Sequence, residues 1–214
     1  MAQHRSARSA AMSLDHPPLA STERRLDKRH LAVLRIGKII TATREDLCMI
    51  RNISDGGLMA HVYGPLAVGQ PISVEIKNGH VLTGTVAWAD GRNAGMQFDE
   101  RIDLLQFLAN EQFDLMKGRI PRNPRLRTDA DVLVRRGAHY VRARVADISP
   151  GGACITEGDA FDAQDDVVMT IAGLPARAGT VRWRCDGHAG IGFHEPTPFD
   201  VLARWAAQRG AGAA

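Results

Sequence analysis

Asn52-Ile53-Ser54-Asp55-Gly56-Gly57 and Asp147-Ile148-Ser149-Pro150-Gly151-Gly152 are two copies of one pattern, an amide or acid, then a Ser, then paired glycines, 95 positions apart. The same shift carries Gly84-Thr85-Val86-Ala87-Trp88 onto Gly179-Thr180-Val181-Arg182-Trp183, and Ala94-Gly95-Met96-Gln97-Phe98 onto Ala189-Gly190-Ile191-Gly192-Phe193. Glu100 and Glu195 extend the match. Agreement at one offset over this span marks duplication of a whole domain, not a short-period solenoid.

Around the signature, each copy consists of short β-rich runs punctuated by Gly and Asn-Gly. The first copy has runs at residues 31–40, 47–53, 58–62, 72–76, 81–89 and 94–98, and the second at 131–136, 140–148, 153–155, 167–171, 177–184 and 190–193. Turns such as Lys77-Asn78-Gly79-His80 favour antiparallel hairpins that close into a small barrel over any parallel arrangement. Over residues 101–117, Ile102, Leu105, Leu108, Gln112 and Met116 recur at helical spacing, and Gly118 follows as a stop. A shorter helix is expected over residues 199–208. The expected fold is therefore mainly β: two tandem six-stranded antiparallel β-barrels, each followed by a C-terminal α-helix. The expected boundaries are a disordered tail at 1–20, domains at 21–117 and 118–208, and a frayed end at 209–214.

With 214 residues, each half lies near the lower limit at which one hydrophobic core holds without metals or disulfides. Cys48, Cys154 and Cys185 form no CxxC pair and no metal-like spacing with the histidines, which argues against zinc and disulfides and fits a reducing cytoplasm. No signal peptide is legible, and nowhere do eighteen apolar residues run together, so no membrane span is expected. The net charge of +3 is uneven, with nine Lys and Arg between Lys117 and Arg144 against Asp129 and Asp131. Few aromatics interleave with these arginines, which disfavours nucleic acid as the partner.

Upstream of the first barrel stands Glu23-Arg24-Arg25-Leu26-Asp27-Lys28-Arg29, in which Arg25 and Arg29 are spaced as RxxxR. Followed by Asn52-x-Ser54-x-x-Gly57, this resembles the PilZ family over roughly residues 22–208. The conjunction is far more specific than either half. The resemblance implies a PilZ-like barrel fold and a receptor for the second messenger cyclic di-GMP, with Arg25, Arg29, Asn52, Ser54 and Gly57 as ligand residues. It implies no metal, no further cofactor and no catalysis, and an output through a downstream protein partner. The alternative is a PilZ-like interaction scaffold that binds no nucleotide.

The chemistry of the residues agrees with that implication. Cyclic di-GMP is a dianion whose guanines present O6 and N7 acceptors, and guanidinium forks match both phosphates and that edge. Asn52 and Ser54, two apart, are expected on one face with Ile53 pointing into the barrel. The glycines are expected to give a sharp turn at positive φ and room for a flat ligand. Against this stands the simpler reading, in which Asn52 and Ser54 satisfy the turn's own backbone.

The second copy departs at the upstream arginines. Arg119, Arg122, Arg125 and Arg127 contain no RxxxR, and Pro121 stands where alignment on Arg125 would place Arg25. Either Arg122 and Arg125, with Asp147, Ser149 and Gly152, form an irregular second site, or the second barrel is a packing and docking unit. Pro121 and Pro124 stiffen the segment and favour the latter. Trp88 and Trp183 read as packing residues, with a ligand platform as the competing reading. Cys154 and Cys185 read as small apolar residues. No catalytic constellation is legible.

Overall fold

In the computed structural model, residues 31–76, 79–107, 109, 116 and 122–211 are described, with no side-chain detail at residues 31–33 and 211. The first half comprises β1 (Leu31–Ile40), β2 (Glu45–Ile53), β3 (Gly57–Val62), β4 (Pro71–Glu75), β5 (Val81–Asp90) and β6 (Asn93–Phe98). They close in the order β1-β2-β3-β6-β5-β4, every pair antiparallel. Alternating apolar side chains fill the barrel, led by Ile50, Val74, Ile76 and Val86, as a half-buried strand pattern demands. At the β4–β5 turn, Gly79 takes φ +75 and the Ile76 amide donates to the His80 carbonyl at 2.7 Å. Lys77 and Asn78 lie outside the described residues.

The second half repeats this plan with β8 (Asp131–Arg136), β9 (His139–Ser149), β10 (Gly152–Ile155), β11 (Asp166–Ile171), β12 (Arg177–Cys185) and β13 (His188–Phe193). The pairing of β10 with β9 closes the ring of six, and a two-residue strand, β7 (Leu126–Arg127), adds to β9 from outside. Neither β7 nor the 3₁₀ turn Gly158–Ala160 is expected from the sequence pattern. Leu104 and Phe107 open the helical segment after the first barrel and pack on its core, while most of residues 108–121 lie outside the described residues.

The C-terminal helix, Phe199–Ala211, runs three residues past its expected end at Gln208. Its last turn is tied down: Arg209 lies over the Trp205 ring at 5.3 Å and meets Asp129 at 3.3 Å. Gly210 rests against the Arg44 side chain of the first barrel. The expected fraying therefore does not begin at residue 209.

The helix and β7 form a seam against β2. Leu47 leaves the first barrel on its outer side and is fully buried in the core of the second half. Tyr63 packs edge-on against Phe199, with its hydroxyl 3.4 Å from an Asp200 carboxylate oxygen. Burial and the Asp200 charge both push the Tyr63 pKa up. At the centre sits Lys38, 5% exposed, whose ammonium meets Glu75 at 2.9 Å, Glu45 at 3.3 Å and the Arg125 carbonyl at 3.1 Å. Three acceptors match the three protons of the ammonium, the condition under which a buried cation is tolerated. Glu45 also accepts from the Arg127 amide at 3.1 Å, so one charged cluster joins both halves.

Candidate functional site

Arg51 determines how β2 presents the signature. Against β3 the register jumps from Ile50↔Ala60 to Asn52↔Met59, and against β1 from Arg35↔Ile50 to Ala32↔Asn52, so Arg51 is a bulge residue without a partner on either side. The extra residue keeps both Ile50 and Ile53 in the core and turns Asn52 outward. Asn52 is half-buried and lines the outer face.

Ser54 is 5% exposed, and both its amide, at 2.8 Å, and its hydroxyl, at 3.2 Å, donate to the Gly57 carbonyl. Its hydroxyl thus serves the turn, as the simpler reading expected. Asp55 bolts the turn to the following segment, its carbonyl accepting from the Ile102 amide at 2.8 Å and its carboxylate from the Leu104 amide at 3.4 Å. The expectation of positive φ at the signature glycines is corrected: neither Gly57 nor Gly152 lies in that region. Their requirement is proximity. A Cβ on Gly57 would stand 2.3 Å from the Met96 carbonyl oxygen, and one on Gly152 2.3 Å from that of Ile191.

Register then lays residues in rows across the outer face. Gly57 pairs with Gln97, and Met59 with Gly95, which pairs with Trp88. These rows, with Asn52, Ser54 and Ala87, line a groove of about 480 Å³. Trp88 is 42% exposed and Trp183 45%, which corrects their reading as packing residues. Each indole lies flat on a glycine of the neighbouring strand: a Cβ on Gly95 or Gly190 would stand 2.1 Å from the respective indole nitrogen. Trp88 is the groove residue that composition hides, and the Trp and Gly pair recurring in both copies is the signal that could have found it. Phe98, by contrast, belongs to the first core, and Phe193 is half-buried against the second.

Arg25 and Arg29 lie outside the described residues. β1 begins two residues after Arg29, and its first residues, Leu31 and Ala32, pair with Ile53 and Asn52. The chain thus joins the barrel beside the signature.

In the second barrel the same turn forms, with the Ser149 hydroxyl donating to the Gly152 carbonyl at 3.3 Å. Asp147, where the first copy has Asn52, is taken by the Arg125 guanidinium at 2.5 Å. The Arg125 carbonyl is meanwhile held by Lys38. Arg122 is exposed and reaches none of these groups among the described residues. Arg182 replaces Ala87 and folds over Gly192, 3.0 Å from an added Cβ there. The structure thus pairs Arg125 with Asp147 and, separately, Ser149 with Gly152.

Burial pushes the Cys48 thiol up to about 12, and burial likewise raises that of Cys154. Cys185 is exposed, against its expected apolar role, and its thiol is raised by a hydrogen bond to Asp186. None of the three is poised as a thiolate. Among the described residues there is no group of His, Cys, Asp and Glu able to hold a metal, and no helix long and apolar enough to cross a membrane.

The PilZ domain model matches this sequence twice, at residues 23–110 and 120–208. The chain belongs to the PilZ family. No curated protein matches the sequence. Among solved structures, the Borreliella burgdorferi PlzA protein in complex with c-di-GMP is similar at 11% identity, with 82% of this chain and 88% of that chain covered and a TM-score of 0.38. The Bacillus subtilis inhibitor of motility MotI/DgrA is similar at 14% identity, with 86% and 99% covered and a TM-score of 0.34. Escherichia coli YcgR in complex with c-di-GMP is similar at 12% identity, with 84% and 86% covered and a TM-score of 0.32.

Proposed function

We propose that this PilZ protein is a cyclic di-GMP effector that binds its ligand on the first barrel, through Arg25, Arg29, Asn52, Ser54 and Gly57. The observation that carries this reading is the register of β1 on β2, which brings the chain into the barrel beside Asn52, two residues after Arg29, at the edge of a groove with an exposed indole. Asn52 supplies amide groups for a base edge. Ser54 and Gly57 act one step back, holding the turn in shape. The arginines supply guanidinium forks for the phosphates and for guanine O6 and N7. Binding draws the arginine segment over the barrel face, an ordering step of the kind that switches partner contacts. The output then passes to a downstream protein partner.

The second barrel serves as the docking half in this reading. Its signature carboxylate, Asp147, is already paired with the Arg125 guanidinium and so is not free to meet a ligand. Calorimetric titration of the full chain tests the assignment. Arg25→Ala and Arg29→Ala are each expected to weaken cyclic di-GMP binding by about ten- to a hundredfold, whereas Arg125→Ala leaves it unchanged. Equal affinity in wild type and both first-barrel variants would remove the site. Absence of any binding by the wild type would favour the nucleotide-free scaffold.

A further inference from the structure

One row beyond the signature groove, two residues or about 6.8 Å further along the strands, the outer face of the first barrel holds a second depression. Its volume is about 450 Å³, and Arg51, Met59, His61, Trp88, Asp90 and Asn93 line it. The register explains the grouping. His61 pairs with Asn93 across β3 and β6, and Asn93 pairs with Asp90 across the β5–β6 hairpin. Arg51 is the bulge residue of β2. Trp88 and Met59 line both depressions, so the indole, flat on Gly95 with its other face outward, is ground they share.

The polar groups here are unspent. Among the described residues, the side chains of Arg51, Asp90 and Asn93 make no hydrogen bond or ion pair, although all three are exposed and share one hollow. His61 is oriented by an edge contact with Tyr63 at 5.1 Å. An indole face, a carboxylate, a carboxamide and a guanidinium around one hollow make a set that can grip a purine. The indole stacks on the ring, and the guanidinium reaches a phosphate or the O6 and N7 edge.

The carboxylate selects among purines. Guanine offers N1–H and N2–H side by side as donors, which one carboxylate can accept together, whereas adenine turns an acceptor nitrogen toward it beside a single donor group. The duplicated barrel supplies an internal comparison. At the 95-residue shift, Arg51, His61 and Asp90 become Ala146, Thr156 and Cys185, while Trp183 remains. The polar set occurs on the barrel that also carries the complete arginine signature.

We propose that Arg51, Trp88, Asp90 and Asn93 form a second base subsite of the first barrel, selective for guanine, so that a dinucleotide straddles the Trp88 indole. This rests on the reading of the first barrel as a cyclic dinucleotide receptor. Titration of the full chain with cyclic di-GMP and cyclic di-AMP, as wild type, Asp90→Asn, Arg51→Ala and Arg29→Ala, tests it. Asp90→Asn is expected to lose about ten- to a hundredfold in cyclic di-GMP affinity and to narrow the guanine-over-adenine preference by a similar factor. Arg51→Ala is expected to lower affinity too. Wild-type binding that Arg29→Ala weakens, with affinity and preference intact in both Asp90→Asn and Arg51→Ala, would overturn the second subsite alone. No binding of cyclic di-GMP by the wild type would overturn the receptor reading and this subsite with it.

Discussion

At the scale of single residues, the signature is a statement about how closely two backbones approach. Gly152 sits where β10 pairs with β13, with an added Cβ meeting a carbonyl oxygen at 2.3 Å, a contact that no side-chain rotation relieves. Its neighbour Gly151 has nothing within 4 Å of such an atom and is not in the positive-φ region. The two glycines therefore separate cleanly. Gly152→Ala is expected to destabilise the chain by about 1–3 kcal/mol through forced separation of the strands. Gly151→Ala is expected to be neutral or to stabilise by a few tenths of a kcal/mol, because it restricts the unfolded chain. Urea unfolding of both variants measures the pair, and equal midpoints would refute the close-approach account.

At the scale of elements, the strands were legible because each barrel alternates apolar and polar residues and is punctuated by turn residues. The 95-residue repeat then identified the two halves as copies. What the pattern could not reveal is which outer faces are covered. Asp46, Leu47 and Cys48 are buried in succession on β2, a run that alternation alone reads as a strand end. Leu47 is buried because another domain lies on it, and nothing local in the sequence records that. Trp88 misled for the opposite reason, since a large apolar ring is usually buried, and its exposure comes from the glycine beneath it. The bulge at Arg51 was hidden because one extra residue shifts a register without altering composition. Leu47→Ala makes the tertiary consequence measurable. It removes a side chain of the first barrel from the core of the second, so it is expected to cost about 2–5 kcal/mol and to lower unfolding in both halves. Fluorescence of Trp205 and far-UV circular dichroism should shift together, and an unmoved second half would mean that Leu47 does not couple them.

For the molecule as a whole, the seam makes the proposed ligand site and the docking half parts of one mechanical unit. Asn52 and Leu47 share β2, Lys38 on β1 holds the Arg125 carbonyl, and Arg125 in turn closes the second signature at Asp147. Removing one member of such a buried charged cluster leaves unpaired charge at a cost of several kcal/mol, so the halves are expected to unfold together rather than in sequence. A ligand that binds the folded first barrel then stabilises the second by linkage, without touching it. At a free concentration of 100 times Kd the gain is about 2.7 kcal/mol. For a chain of this size that corresponds to a rise in Tm of roughly 5–11 °C. Differential scanning calorimetry with saturating cyclic di-GMP should accordingly show a single transition displaced upward as a whole. Two transitions, with the upper or lower one alone moving, would show that the barrels melt independently and that the signal leaves the first barrel by another route.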